Sequence, residues 1–151
     1  VALPMSSGTA IDATSEAELA LFLAGSADAI VEPAATSKAF EESPGLAREI
    51  AVLEGAVHLT FSDICRLHNA AGDDLLTIAG AHGICGFEFA SVLVDCDQAT
   101  LDHARGGVIV NHLSTLALER VLHCADRTEA LAALPGAIPE LLEWRTSPAG
   151  E

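Results

Sequence analysis

The chain has 151 residues, half of them hydrophobic, with 22 acidic against 7 basic side chains and a formal net charge of −15. A chain of that length forms one domain whose core hides roughly 70% of the unfolded surface, and its apolar content excludes general disorder. The longest apolar run, Leu19 to Ala24, falls well short of the ~18 residues a membrane span needs.

The charge narrows the partners. Lys38 is the only lysine, and the six arginines are scattered at 48, 66, 105, 120, 127 and 145. Residues 1–75 carry a net −9 and residues 76–151 a net −6, so neither half offers a basic stripe. Binding to a nucleic-acid backbone or to an anionic membrane surface is therefore not expected. An acidic surface first serves solubility, and it also suits a basic protein partner.

Cys65, Cys85, Cys96 and Cys124 include no C-x-x-C pair and are sparse for a disulfide scaffold. The opening stretch VALPMSSGTAID lacks the basic and apolar regions of a secretion signal. These observations predict a cytoplasmic protein with reduced thiols.

Residues 1–14 are small and polar and are expected to form a flexible segment, with residues 15–151 as a single α+β domain. Ser15 and Glu18 have capping-box spacing, which predicts a helix over Leu19–Leu23 that stops at Gly25. Glu32-Pro33 marks a break. Ser43-Pro44 reads as the start of a second helix, with an apolar stripe through Leu46, Ala47, Ile50 and Leu53.

The middle of the chain reads as more strand-like. Val57, Leu59 and Phe61 alternate with polar residues, which predicts a strand. Ser62-Asp63 then opens a short helix that ends at Gly72, or else the strand runs on to Leu67. Leu75–Ala79 reads as another strand, and residues 84–95 form the strongest strand pattern. Asp97 is placed as the cap of a short helix closed by Gly106-Gly107, with Val108–Val110 as a returning strand.

Helical spacing returns at Leu118, Val121, Leu122 and Ala125. Asp126 and Glu129 form a second capping box for a helix ended by Pro135-Gly136. A last short helix is predicted over Ile138–Trp144. The fold class read from this pattern is α+β: a single compact domain with a small mixed sheet and helices at the N-terminus and in the C-terminal third.

Among constellations with chemistry, Cys65-x2-His68 is followed, after 13 intervening residues, by His82-x2-Cys85. Two soft ligand pairs joined by a loop follow the spacing logic of structural zinc sites, and thiolate with imidazole selects zinc over magnesium or calcium. The spacing works only if both pairs sit at turns or helix starts, and Gly72, Gly83 and Gly86 would supply the bends. The competing reading is that the cysteines are small core residues.

His123-Cys124 diverge on either helix or strand, and a thiol nucleophile would need an electropositive surround, offered only locally by Arg66 or Arg105. Asp102, His103, Asn111 and His112 flank Gly106-Gly107. As a cluster at a strand end they would line a pocket, with His103 as the acid or base and Asn111 and His112 as ligand-binding groups. Glu88, set between Phe87 and Phe89, would be a perturbed carboxylate if it faced inward, although alternation turns it outward.

The chain has no phosphate-binding loop, dinucleotide fingerprint, H-E-x-x-H or G-x-S-x-G motif. The expectation is therefore an acidic module, open to homodimerisation, that binds a protein partner or a small ligand. The alternatives are a zinc-type metalloprotein or metal-dependent enzyme, and an acidic inhibitor of the immunity-protein kind.

Overall fold

The run Leu19–Gly25 is apolar throughout, with no polar position on either face. Only an element covered on both sides can bury such a run, and a sheet strand between two layers does so. In the computed structural model, which describes residues 1–5, 7–12, 16–87 and 95–150, this run is strand β1, buried at every position. Helix α1 (Pro33–Glu41), with Pro33 in its first turn, leads to strand β2 (Ala47–Leu53).

β1 and β2 pair in parallel from Leu19↔Ala47 to Gly25↔Leu53, so the two strands end side by side. β2 also pairs antiparallel with β3 (Leu141–Ser147), giving a three-stranded mixed sheet of order β1-β2-β3. On the outer side of β1, Ala2 and Met5 form parallel bridges to Ala20 and Leu23. Between β2 and β3 lie helix α2 (Leu75–Ala81), the long helix α3 (His103–Leu122) and helix α4 (Thr128–Ala137). Three short 3-10 turns, His58–Phe61, Ile64–Arg66 and Cys96–Gln98, complete the described elements. The result is a single α+β unit.

Strand alternation divides the core in two. Leu19, Leu21 and Leu23 point to one face and pack with Ile109, Leu113 and Leu116 of α3 and Leu134 of α4. Ala20, Phe22 and Ala24 point to the other face and pack with Ala39 and Phe40 of α1. Phe22 and Phe40 meet edge to face, with ring centroids 6.0 Å apart, a geometry worth about 1 kcal/mol beyond burial. Charged pairs tie the outer elements together. Arg105 of α3 holds Glu140 through two bonds of 2.7 and 2.9 Å, and Arg120 of α3 pairs with the buried Glu49 of β2.

Several local expectations are corrected. Leu19–Leu23 and Ala47–Leu53 are strands, not helices, because both runs are covered on two faces and a fully buried strand carries no periodic signal. Ser43 does not cap a helix. It is buried, its hydroxyl donating to the Ala39 carbonyl and accepting from the Ile11 amide. Val57–Phe61 coils into a 3-10 turn, and Leu75–Ala81 is a helix capped by the Asp74 carboxylate, which accepts from the Thr77 amide. Val108–Val110 lies inside α3, which Asp102 caps by accepting from the Arg105 amide. Ile138–Trp144 is not a helix: 138–140 form the turn out of α4 and Leu141–Trp144 open β3. The capping residue Ser15 and most of the strand expected over 84–95 lie outside the described residues, while Cys85 and Gly86 form a turn and Phe87 is helical.

Candidate functional site

Parallel strands end on the same side of a sheet, and the crevice beyond their carboxyl ends is where open sheets place ligands. Here two four-residue segments stand beyond those strand ends. Gly25-Ser26-Ala27-Asp28 leaves β1, and Gly55-Ala56-Val57-His58 follows β2.

The segments are sewn together through the backbone. The Ser26 amide donates to the Leu53 carbonyl at 2.9 Å and the Ala27 amide to the Ala56 carbonyl at 2.9 Å. The Ser26 hydroxyl accepts from the Gly55 amide at 2.9 Å. Both glycines are required by space. A Cβ on Gly25 would stand 2.3 Å from the Ala56 carbonyl oxygen, and Gly55 has φ +69° with the Thr100 hydroxyl against its backbone.

This stitching brings Asp28 and His58 together. One Asp28 carboxylate oxygen accepts the Ile30 and Val31 amides at 2.9 and 2.8 Å. The other lies 3.0 Å from His58 Nδ1. The Asp28 side chain is fully buried, whereas that of His58 is 29% exposed. A carboxylate can only accept, so Nδ1 carries the proton that faces it, and in the neutral ring Nε2 presents a lone pair.

A second buried carboxylate sets the backbone of the histidine. Asp95 accepts the His58 amide at 2.8 Å and the Leu59 amide at 3.3 Å. From below, Gly106 of α3 presses against Thr60, since a Cβ there would come within 2.6 Å of the Thr60 methyl. The Thr60 hydroxyl accepts the Val57 amide at 2.9 Å. His58 is thus fixed at its ring by Asp28 and at its amide by Asp95. Among the described residues no side chain is hydrogen-bonded to Nε2.

The residues singled out from sequence fall elsewhere. Cys65 is bonded to Cys96 in a disulfide across a separation of 31 residues, so the expectation of four reduced thiols does not hold for this pair, while Cys85 and Cys124 are free and exposed. Cys65, His68, His82 and Cys85 are not gathered around one point. His82 and Cys85 sit exposed at the end of α2, and the group of potential ligands that converges among the described residues is Cys65, Cys96 and His103. His103 opens α3, with Nε2 at 2.9 Å from the Cys96 carbonyl oxygen. Asn111 and His112 are exposed further along α3, nine residues from His103 in the case of His112, which places the two histidines on opposite sides of the helix. They do not line a pocket together, because Gly106-Gly107 is a helical segment and not a turn. Glu88 lies outside the described residues.

Asp28, His58 and Asp95 were not singled out from the sequence. A signal for two of them exists. Each parallel strand ends in an apolar run with a glycine after it, directly at Gly25 and beyond Glu54 at Gly55, and three residues after the glycine comes a titratable side chain.

Elsewhere, burial raises the Glu49 carboxyl above its ordinary 4.5, against the lowering influence of Arg120. The Arg105 hydrogen bonds hold Glu140 below that value. No helix of the described residues is long and apolar enough to cross a membrane. No protein-family model matches the chain, and no curated protein is significantly similar to it.

Proposed function

We propose that Asp28 and His58 are the acid–base pair of a hydrolytic site. The observation that carries this reading is a fully buried carboxylate 3.0 Å from Nδ1 of a partly exposed histidine, placed beyond the carboxyl ends of two adjacent parallel strands. A carboxylate on Nδ1 fixes the tautomer and stabilises the imidazolium that forms when Nε2 takes a proton. Carboxylate before histidine along the chain is also the order in which strand-end hydrolytic triads present these two groups.

In this role His58 Nε2 removes the proton of a hydroxyl brought to it and later returns that proton to the leaving group. Asp28 stays ionised throughout. The reaction class is acyl transfer to water, with ester substrates the most accessible probe.

The test is hydrolysis of p-nitrophenyl acetate by the purified chain and by H58A and D28N. The reading predicts a rate that falls at least about a hundredfold in H58A. A chain no faster than H58A across pH 6–9 overturns it.

A second reading, an acidic module that binds a protein partner or small ligand, is supported by a different observation. Leu67, Leu75, Ile84 and Phe87 are large, exposed apolar side chains that come from one stretch of chain. Light scattering after size exclusion, at low and high salt with basic partner proteins, tests it. A monomer indifferent to every partner counts against it.

A further inference from the structure

Two sulfurs and one imidazole converge away from the Asp28–His58 pair. Cys65 lies in the turn Ile64–Arg66, Cys96 opens the turn Cys96–Gln98, and His103 is the first residue of α3. One ring nitrogen of His103 and both sulfurs lie within 4.8 Å of one another.

The histidine is set up as a ligand. Its Nε2 lies 2.9 Å from the Cys96 carbonyl oxygen, which can only accept, so Nε2 carries the proton. In the neutral ring Nδ1 is then a lone-pair nitrogen, and it is buried with no hydrogen-bond partner. A buried acceptor without a partner is costly. A histidine that donates one N–H to a backbone carbonyl while offering its other nitrogen is the usual arrangement of a metal-bound imidazole. A cavity of about 430 Å³ adjoins the disulfide. Cys65 and Cys96 line it together with His68, Asp74 and Asp97, so an ion can reach the two sulfurs from the cavity, with His103 lying behind them.

We propose that Cys65, Cys96 and His103 form a zinc-type metal site that is closed while the disulfide is intact and opens when it is reduced. Reduction by a phosphine balances as follows. The phosphine and one water convert the disulfide to two thiols, and the phosphine leaves as its oxide. A divalent ion then binds both sulfurs as thiolates and His103 Nδ1, releasing two protons. Two thiolates and one imidazole match the ligand set of a zinc site with an open fourth position. Because metal binds only the reduced form, it favours reduction. At free zinc a hundredfold above its dissociation constant, the reduced fraction gains a hundredfold over the oxidised one, equivalent to about 59 mV for a two-electron couple.

The experiment is an anaerobic cobalt titration of the C85S/C124S variant, oxidised and phosphine-reduced, with Trp144 fluorescence and circular dichroism followed throughout. The expected result is one equivalent of cobalt on the folded, reduced protein, with thiolate charge-transfer and tetrahedral bands, and no such bands on the oxidised protein. H103A is expected to weaken binding at least tenfold while the fold signals are unchanged. The proposal is overturned if reduced protein shows no cobalt–thiolate band, if H103A binds as tightly as its parent, or if metal binds only to protein that reduction has unfolded.

Discussion

Replacing Gly25 with alanine tests how closely the two strand ends must approach to bring Asp28 to His58. The added Cβ would lie 2.3 Å from the Ala56 carbonyl oxygen and 2.7 Å from its carbonyl carbon, where ordinary contact begins at 3.4 Å. The Ala56 backbone must therefore retreat by roughly 1 Å, on the spacing van der Waals contact requires. That movement strains the 2.9 Å bond from the Ala27 amide to the same carbonyl. Overpacking of this kind costs about 1–3 kcal/mol, and a weakened backbone bond adds about 1 kcal/mol.

In urea, a loss of about 2–4 kcal/mol lowers the unfolding midpoint by roughly 1–2 M at a slope of about 2 kcal/mol/M. Amide chemical shifts should change around residues 26–31 and 56–61, while α4 stays unaffected. Gly136→Ala is the control. It sits in α4 with open space around its Cβ position and no positive φ, so it should be neutral or stabilise by up to about 1 kcal/mol. A Gly25→Ala protein as stable as its parent, with unshifted amides in both loops, would refute the argument that the loops are locked in contact.

Three further outcomes are expected. Reducing Cys65–Cys96 frees a loop spanned by 31 positions, and chain entropy puts the loss near 3–4 kcal/mol; equal urea midpoints with and without reductant would contradict this. Asp95→Ala leaves the His58 and Leu59 amides without their acceptor and should cost about 2–4 kcal/mol, read by thermal unfolding. Acidification should lower stability. Asp74, Asp126 and Glu140 are held below their ordinary values of 3.8, 3.8 and 4.5, so what they contribute is complete above those values and is lost as pH falls through the lowered ones. Glu49, raised above 4.5, acts in the opposite sense and loses its contribution as pH rises; a Glu140→Gln variant should show a shallower acid loss than the parent, by urea unfolding at pH 3–6.

The fold class was legible in the sequence because it follows from composition and the mix of patterns. The identity of the strands was not. Leu19–Gly25 and Ala47–Leu53 are covered on both faces, so nothing forces polar residues into alternation, and short apolar runs read equally as helix or strand. The start of β3 does not alternate, because Leu141 and Trp144 both pack on the core and Leu142 between them is exposed. α3 was legible at its first residues and in its second half but not as one helix, since Gly106 and Gly107 look like a turn. Gly106 is there because α3 packs directly on Thr60. At the site, His58 was hidden inside an apparent strand, and its partner stands 30 positions earlier. Only the parallel pairing of β1 with β2 makes the two glycine-plus-three positions neighbours.

The pairing of Asp28 with His58 is tested most directly by the nitrogen-15 spectrum of the His58 ring at pH 8 in the parent and in D28N. The neutral ring of the parent should carry its proton on Nδ1. In D28N the amide nitrogen faces the ring and donates, so the proton should move to Nε2. An Nε2-protonated ring in the parent, or the same tautomer in both proteins, would contradict the account.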